Sequence, residues 1–543
     1  MTGDQETGDQ VTGDQETAPA AASTPSAAGG PSAAAGGEPL ATRPKRPGEW
    51  AKPPVAEGGR LATRPKRPGE WAKPPVAEGG RLATVVIVNW NGAHLLPPCL
   101  DALAKQVTGF AFETWVVDNA SADSSLELLR TRYPWVRVLE SGANLGFAGG
   151  NNLALRQVTT PLAVLVNNDA VPEPDWLAEL VAPFGDVSPD GSLSADSSAD
   201  PAAERLGAVT GKVVFLPRFL RLRLNTPTFT PGPHDPRELG VRVTSVRVDG
   251  REALREVLWE KLTFGAEGGA KAPFFWTRGE GELCVPLPET TSSDGGPVTV
   301  EFTWVAEAAK TVTLTWDGGS AELPAGPSEQ TAAITVDGLV PRVDVINNVG
   351  GIVLTDGYGA DRGYQQVDTG QFAAPEPVFT ACGNGMALRT AIGRELDWFD
   401  DDFFLYYEDT DLSWRIRALG YDIRYVPSAV LRHVHSASSV EWSPLFVFHT
   451  DRNRLLMLTK DAPARIALGA AVRYPLTTAS IALRTVRQAL VARSRPDLRP
   501  TLLRLRVTAS YLRLLPRMLA RRRAMGARAT VRRRTLTRWL VSR

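Results

Sequence analysis

The sequence has little of what stabilises or arms small secreted proteins. Its 543 residues include 3 cysteines, 5 histidines and 5 methionines. Cys99, Cys284 and Cys382 lie too far apart to suggest a disulfide scaffold or a cysteine-based zinc site. A reducing, cytoplasmic setting is the simplest expectation. The Met1–Gln5 start has neither a basic n-region nor an apolar run, so no secretory signal is expected there. Long apolar runs are missing as well. In the C-terminal region, Ile466–Ala471 and Tyr474–Leu483 are broken by Arg473, Arg484 and Arg487 below the roughly 18–20 residues a spanning helix needs. Net charge is also absent, at +0 from 60 Lys+Arg and 60 Asp+Glu. With 43% hydrophobic and 22% charged residues, the composition is globular and excludes a wholly disordered, collagenous or many-pass membrane chain.

The zero net charge hides two opposed halves. Residues 451–543 carry 23 Lys+Arg against 3 Asp+Glu, a net of +20, and the rest of the chain carries the balancing −20. That asymmetry predicts an anionic partner at one end of the molecule. At the other end, residues 1–39 are rich in Gly, Ala, Ser, Thr, Pro and Gln, and LATRPKRPGEWAKPPVAEGGR then runs twice without change, over 40–60 and 61–81. The unit is Pro-rich and nearly devoid of apolar residues, so it cannot bury a core. Residues 1–83 are therefore expected to be a disordered, partly polyproline segment.

Order is expected from Thr84. Thr84–Asn89 is a β-branched run, and further strands follow at Glu113–Val117, Val136–Glu140 and Pro161–Val166. Helical spacing lies between them at His94–Val107, at Ser124–Tyr133 and from Gly149 to Gln157. This cadence predicts a parallel α/β sheet whose ligands sit beyond the carboxyl ends of the strands. After a Ser/Asp/Gly-rich loop at Gly185–Ala203, the texture over 219–343 becomes short alternating runs between Gly, Pro and Asp turns. That predicts an all-β sandwich inserted between a first α/β part, 84–218, and a second, 344–445. Residues 446–543 are expected to form a basic helical tail.

The distinctive polar residues fall at strand ends. Asp169, in VLVNNDA, suits a hard divalent cation, which prefers oxygen ligands and shares them with substrate phosphates; it equally suits a helix cap. Asp118, in WVVDNASAD, could accept a hydrogen bond from a base or ribose, or cap a helix. The glycines of SGANLGFAGGNN, 141–152, could let backbone N–H groups approach a diphosphate. There is no GxGxxG and no P-loop lysine, so dinucleotide binding and Walker-type hydrolysis lack support. In FDDDFFLYYEDTDLSWRIRALGY, 399–421, a helix is expected from about Asp409, with Glu408, Asp409 and Asp411 in its first turn. Three acids in four residues exceed what one cap needs, and such a cluster can hold a general base or a metal. His433 and His435 share one face of a strand in AVLRHVHSASS.

Taken together, VVIVNWNG, VVDNASADSS, NLGFAGGNN, VLVNNDA, ACGNGMALR, the acid-cluster segment and AVLRHVHSASS resemble the inverting family 2 glycosyltransferases of the GT-A fold. The nearest likeness is to the rhamnosyltransferase and galactofuranosyltransferase-like bacterial branch. The resemblance spans Thr84 to Ser439 outside the β insert. It implies that Asn89, Asn91, Asp118, Asn144, Asn152 and Asn168 serve the donor nucleotide. Asp169, in an Asn167-x-Asp169 element where the family has DxD, would bind a Mg²⁺ or Mn²⁺ ion together with His433. Asp409 would be the general base, and Glu408, Asp411, Trp414 and Arg415 would shape the acceptor side. The implied reaction moves a sugar from a UDP- or dTDP-sugar to a lipid-linked or cell-envelope polysaccharide acceptor.

The β insert lies outside that likeness. Its aromatics, Trp259, Phe274, Phe275, Trp276, Trp304 and Trp316, fit either a sandwich core or a sugar-stacking surface. The tail is expected to form interfacial amphipathic helices, with the Arg521–Arg523 and Arg532–Arg534 clusters on anionic lipid. This would hold the protein on the inner face of the plasma membrane. No base-stacking or helix-turn-helix pattern accompanies these arginines, so no nucleic acid is expected. The rival to an enzyme is a catalytically degenerate sugar-binding scaffold.

Overall fold

The computed structural model describes residues 81–185, 205–233, 235–268, 272–287, 296–338, 340–434 and 443–542. The tandem repeat up to Gly80, most of the Ser/Asp-rich loop and His435 lie outside the described residues. By internal contacts the chain divides into two units: 221–285 with 296–340 in one, and the remaining described residues in the other.

In the larger unit, strand β1 (Arg81–Asn89) begins three residues ahead of the Thr84 start expected from composition. There follow α1 (Leu96–Leu103), β2 (Ala111–Asp118), α2 (Ser125–Arg132), β3 (Arg137–Glu140), α3 (Gly146–Leu155), β4 (Leu162–Val166), β5 (Ala170–Pro172), α4 (Trp176–Val181) and β6 (Leu206–Phe215). Beyond the insert come β7 (Ile346–Asn348), β8 (Glu376–Pro377), β9 (Gly385–Arg389), α5 (Thr390–Leu396), α6 (Glu408–Ala418) and β10 (Asp422–His433). Three long helices follow, α7 (Pro444–Asp461), α8 (Ala464–Val491) and α9 (Arg499–Arg528), and then a single short one, α10 (Arg533–Leu536).

The main sheet runs β8-β10-β6-β9-β4-β1-β2-β3, with β7 added on β6 and β5 on β10. β1, β2, β3 and β4 are parallel, as the cadence predicts. β9 departs from it, running antiparallel to both β4 and β6. β10 runs parallel to β6, so the carboxyl ends of β1, β2, β4, β6 and β10 share one edge of the sheet.

Alternation along β1 explains why both faces are covered. Val85 and Ile87 enter one apolar core with Leu96, Leu100 and Trp176, while Val86 enters another with Ala148, Trp414 and Leu456. A strand buried on both faces needs helices on both sides, and α1, α2 and α4 supply one layer. α3, α6 and α7 line the other. α7 carries Leu455, Leu456, Met457 and Leu458 into this second core, so the C-terminal helices begin as part of the α/β unit.

The smaller unit contains two sheets. One has the order Thr263–Glu267, Phe274–Thr277, Arg242–Val248, Val298–Val305, Gln330–Val336; the other has Glu280–Pro286, Phe219–Asn225, Lys310–Trp316, Gly319–Ala325. Val298–Val305 alternates buried and half-buried residues along its length. The Trp304 indole N–H reaches from one sheet to the Pro324 carbonyl of the other at 3.0 Å. Trp304 and Trp259 are core residues, whereas Phe274, Phe275, Trp276 and Trp316 are half-buried.

The structure alters the reading of the arginine clusters. Arg521 faces inward onto Asp400 and Asp402. Arg522 donates to the Thr459 and Ala462 carbonyls, and Arg533 to those of Lys460 and Arg522. Arg522 and Arg533 thereby hold the C-terminal end of α7, where free carbonyls attract cations.

Among the described residues of this unit, the most deeply buried basic side chain is Lys460. Its side chain is 3% exposed, with Nζ 2.5 Å from Asp400 and 2.6 Å from Asp411. Removing one partner of a buried ion pair leaves uncompensated charge. Lys460→Met is therefore expected to lower stability by about 3–5 kcal/mol in denaturant unfolding. A loss below about 1 kcal/mol, the scale of an exposed pair, would mean the network is incidental.

Candidate active site

The shared sheet edge gathers most of the strand-end polar residues. Asn119 N–H donates to the Asn89 carbonyl at 2.7 Å, locking the ends of β1 and β2 together. Asp118 is buried, with Oδ2 accepting from Ser121 N–H at 3.0 Å, and its Oδ1 is buried without a hydrogen-bond partner. A carboxylate oxygen left open in this way costs desolvation unless a donor arrives. Asn91 sits at φ 51° and its Oδ1 accepts from Ala122 N–H at 2.7 Å, closing the turn after β1. Asn168 Nδ2 donates to Asn89 Oδ1 at 2.8 Å. Gly92 lies over this pair, and a Cβ there would fall 2.3 Å from Asn168 Nδ2.

Asp169 and His433 meet because β5 pairs with β10, with Ala170 opposite His433. His433 Nε2 lies 3.2 Å from Asp169 Oδ1, and Nδ1 lies 3.2 Å from Asn347 Oδ1 on β7. If Nδ1 carries the proton that Asn347 accepts, the Nε2 lone pair faces a carboxylate oxygen. Two acceptors at that distance need a cation between them, either a proton or a metal ion. Asp169 Oδ1 is also buried with no satisfied hydrogen bond. The donor set thus fits a hard divalent cation, although the described residues hold no group of three or more His, Cys, Asp or Glu around it. Mg²⁺ and Mn²⁺ are commonly held by one or two protein ligands, with water and phosphate completing the shell.

Helix α6 brings the acid cluster to the same edge. β9 begins at Gly385 opposite Val166 of β4. In the turn before it, Asn384 Oδ1 accepts from Asn167 N–H at 3.3 Å and Gly383 N–H donates to Asp409 Oδ2 at 3.0 Å. Asp409 is half-buried. Burial raises its carboxyl above the usual range, opposed by hydrogen bonds from Gly383, from Thr410 N–H and from the Thr410 hydroxyl. Glu408 is buried, with Oε2 unpartnered. Desolvation, and then the Asp409 charge, push it well above the ordinary glutamate value. Burial thus raises both neighbouring carboxyls, Glu408 with its neighbour's charge added and Asp409 against the hydrogen bonds it accepts.

The chain reaches Glu408 through backbone that bulky residues rarely adopt, with φ of 65° at Phe404, 70° at Tyr406 and 69° at Tyr407. Asn453 on α7, fully buried, holds this run. Its Nδ2 lies 2.8 Å from the carbonyls of Phe403, Leu405 and Tyr406. Arg452 donates to the Asp402 and Phe403 carbonyls at 2.9 Å. The Phe404 carbonyl accepts from Phe147 and Ala148 N–H at the start of α3, at 2.7 and 3.2 Å.

That last contact changes the reading of the glycine-rich segment. The first-turn amides of α3 are taken by the protein's own Phe404 carbonyl and do not stand open for a diphosphate. Gly146, at φ 71°, is required because a Cβ would lie 2.3 Å from that oxygen. Asn144 Oδ1 caps the same turn, accepting from Gly146 N–H at 2.9 Å. Asn152, expected on the donor side, is fully buried. Its Nδ2 donates to the Phe399 carbonyl and Asp401, and its Oδ1 accepts from Phe399 N–H. Its amide joins α3 to the 399–401 loop and has no donor left for a nucleotide.

Three residues expected on the acceptor side are core residues. Asp411 is fully buried between Arg415 and Lys460. Arg415 also donates to the Leu396 and Trp398 carbonyls. Trp414 packs edge-on against Phe379 at 4.8 Å. Conversely, Asn347, Asn384, Asn453 and Lys460 carry the site's geometry without having been singled out from the sequence. The amide pair in VINNVGG and the asparagine between two glycines in ACGNGM are the signals for the first two.

The model described as Glycosyl transferase family 2 matches residues 84–195, and that described as Glycosyl transferase family group 2 matches residues 335–447; the first ends before the β insert and the second begins in its last strand. No curated protein matches the chain. Three similar solved structures are GalNAc-T7 with UDP, GalNAc and Mn²⁺, the mannosyltransferase PcManGT from Pyrobaculum calidifontis with GDP-Man and Mn²⁺, and S. aureus TarS 1–349 with UDP. Their identities to this chain are 12, 14 and 13%, with TM-scores of 0.37, 0.32 and 0.31. The alignments cover 70, 82 and 82% of this chain and 48, 90 and 87% of the others, so it spans about half the length of the first.

The Glu408 carboxyl gives a signed pH prediction. Its folded pKa lies above its unfolded one, so stability falls as pH rises beyond the ordinary glutamate range. The effect is about 1.4 kcal/mol per pH unit between the two values. Glu408→Gln removes that term. Its stability relative to wild type is expected to rise as pH climbs above the ordinary glutamate range of about 4 in thermal unfolding; a difference that stays flat with pH would show Glu408 ionised in the fold.

Proposed function

We propose that this chain, a glycosyltransferase by its two family 2 segments, moves a sugar of the rhamnose or galactofuranose class from a UDP- or dTDP-sugar to a lipid-linked or cell-envelope polysaccharide acceptor. Transfer proceeds with inversion, on the cytoplasmic face of the plasma membrane. The observation that carries the reading is the meeting, at one sheet edge, of an open buried carboxylate (Asp118), an acid–imidazole pair (Asp169–His433) and a raised carboxyl on a helix start (Asp409).

Each group has a role suited to its surroundings. Asp118 Oδ1 accepts an N–H of the donor base. Asp169 and His433 would hold a divalent cation, with Asn347 fixing the imidazole tautomer. Bound there, the ion supplies positive charge against the leaving diphosphate. Asp409 takes the proton of the acceptor hydroxyl during attack. Burial raises its basicity, and the Gly383 amide fixes its position. One base on the face opposite the leaving group gives a single displacement.

Thermal-shift measurements with UDP- and dTDP-sugars, with and without Mn²⁺, test the donor half. One donor is expected to raise the melting temperature in a Mn²⁺-dependent way, and Asp169→Ala to abolish the shift. No shift with any donor, in folded protein, would instead favour the degenerate scaffold. Asp409→Asn is expected to keep the donor shift while lowering turnover by about 10²–10⁴-fold. Asp409 must be ionised to act. Wild-type kcat/KM should therefore rise with pH through a value above the ordinary aspartate range of about 4. An acid limb at or below that range would remove Asp409 from the role.

A further inference from the structure

Helices α8 and α9 each bury one face and leave an ordered apolar stripe on another. On α8 the buried residues are Ala470, Tyr474, Thr478 and Ala489. Leu468, Val472, Leu476, Leu483 and Leu490 recur at steps of four or seven residues and are all more than half exposed, Leu490 at 74%. On α9 the buried set includes Arg504, Val507, Tyr511 and Met518, while Leu502, Leu505, Leu512 and Leu519 stand out at 43–56% exposure. At 100° per residue each stripe lies roughly 140° around its helix from the buried face. Exposed arginines follow one edge of each stripe: Arg484 and Arg487 on α8, Arg506 and Arg513 on α9. Between residues 464 and 528 there are 15 arginines, no lysine, and one acid, Asp497.

We propose that these two leucine-striped, arginine-edged faces form a docking surface for an anionic lipid bilayer, with both helices lying in its interface. Charge complementarity selects this occupant. A second copy would bring two arginine-rich faces together with almost no acid to offset them, whereas anionic headgroups meet the arginines while the leucines enter the acyl boundary. α8 is 28 residues long with a mean hydropathy of 1.3 over its best window, so length and composition alone would let it cross a membrane. Its contacts oppose crossing. Tyr474 Oη donates to Asp451 at 2.7 Å, Arg504 donates to Thr478 Oγ1 at 3.0 Å, and Arg504 lies 3.9 Å from the Tyr474 ring centroid. These contacts fasten α8 to α7 and α9.

The test is flotation of the full chain with vesicles of phosphatidylcholine alone and of phosphatidylcholine with phosphatidylglycerol. The variant Leu476→Gln/Leu483→Gln/Leu512→Gln keeps the buried faces intact. Wild type is expected to bind the anionic vesicles about tenfold or more better than the neutral ones, to be released by high salt and by alkaline carbonate, and to lose about tenfold in the variant. Four results would overturn the proposal: no binding, equal binding to both vesicles, retention in carbonate, or a wild-type dimer that the variant disperses. The thermal shift with donor sugar is a separate readout and should be equal in the two proteins, so failure of the lipid surface and failure of the transfer reading remain distinguishable.

Discussion

A buried lysine organises the acid-rich side of the candidate site. Lys460 lies between Asp400 and Asp411, and Arg415 and Arg521 approach the same carboxylates. Burial alone would raise Asp400, but Lys460 and Arg521 together hold it below the usual carboxylate range. The adjoining Asp461 is pushed far the other way, by burial and then by Asp411. A low-dielectric site tolerates this many acids only when cations match those that stay ionised and the remainder keep a proton. The match draws on α6, α7, α9 and the loop before α6, so none of these can move without exposing charge.

That rigidity supports backbone that would otherwise relax. Left-handed conformations at Phe404, Tyr406 and Tyr407 are unfavourable and persist only where neighbours over-determine them. The carbonyls of this run are held by Asn453 and Arg452 from α7 and by the first amides of α3. The run ends at Glu408 and Asp409. The position of the proposed base is thus set from behind by the ion network and from the front by Gly383, whose loop also contacts Asn167. A base held at a fixed place with raised basicity fits proton abstraction during attack, where misplacement of an ångström is costly.

The sheet and the strand-end chemistry were legible in the sequence because both rest on local patterns. β-branched runs marked β1, β2 and β4, and polar residues at their ends marked the mouth. Asp169 and His433 were linked by family resemblance, and the β5–β10 pairing accounts for their meeting. What stayed hidden depends on contacts between residues distant in sequence. The acid cluster of α6 was visible, but its first-turn position did not say that Asp411 turns inward while Asp409 turns to the edge. The four-residue step from Asp411 to Arg415 is a helical ion-pair spacing, a local cue that could have moved both into the core. No local cue exists for Lys460, whose partners are about fifty and sixty residues away, or for Asn453, whose carbonyl partners lie about fifty residues back. The glycine-rich segment misled because a glycine kept for close approach looks the same whether the approaching group is a phosphate or, as here, a carbonyl of the same chain.

The C-terminal helices cannot be treated as an appended tail. α7 fills the second core and holds the run leading to the base. Arg517 and Arg521 of α9 bind Asp402 at 2.7 and 2.6 Å, two residues before the left-handed segment begins. The same helix carries leucines on its outer face. Inward arginines and outward leucines on one rigid element leave little freedom between surface and site: whatever seats the outer face of α9 also fixes the loop that sets Asp409. An acceptor anchored in lipid would then meet a base whose position is referred to the lipid surface itself, through a single helix and a pair of ionic contacts.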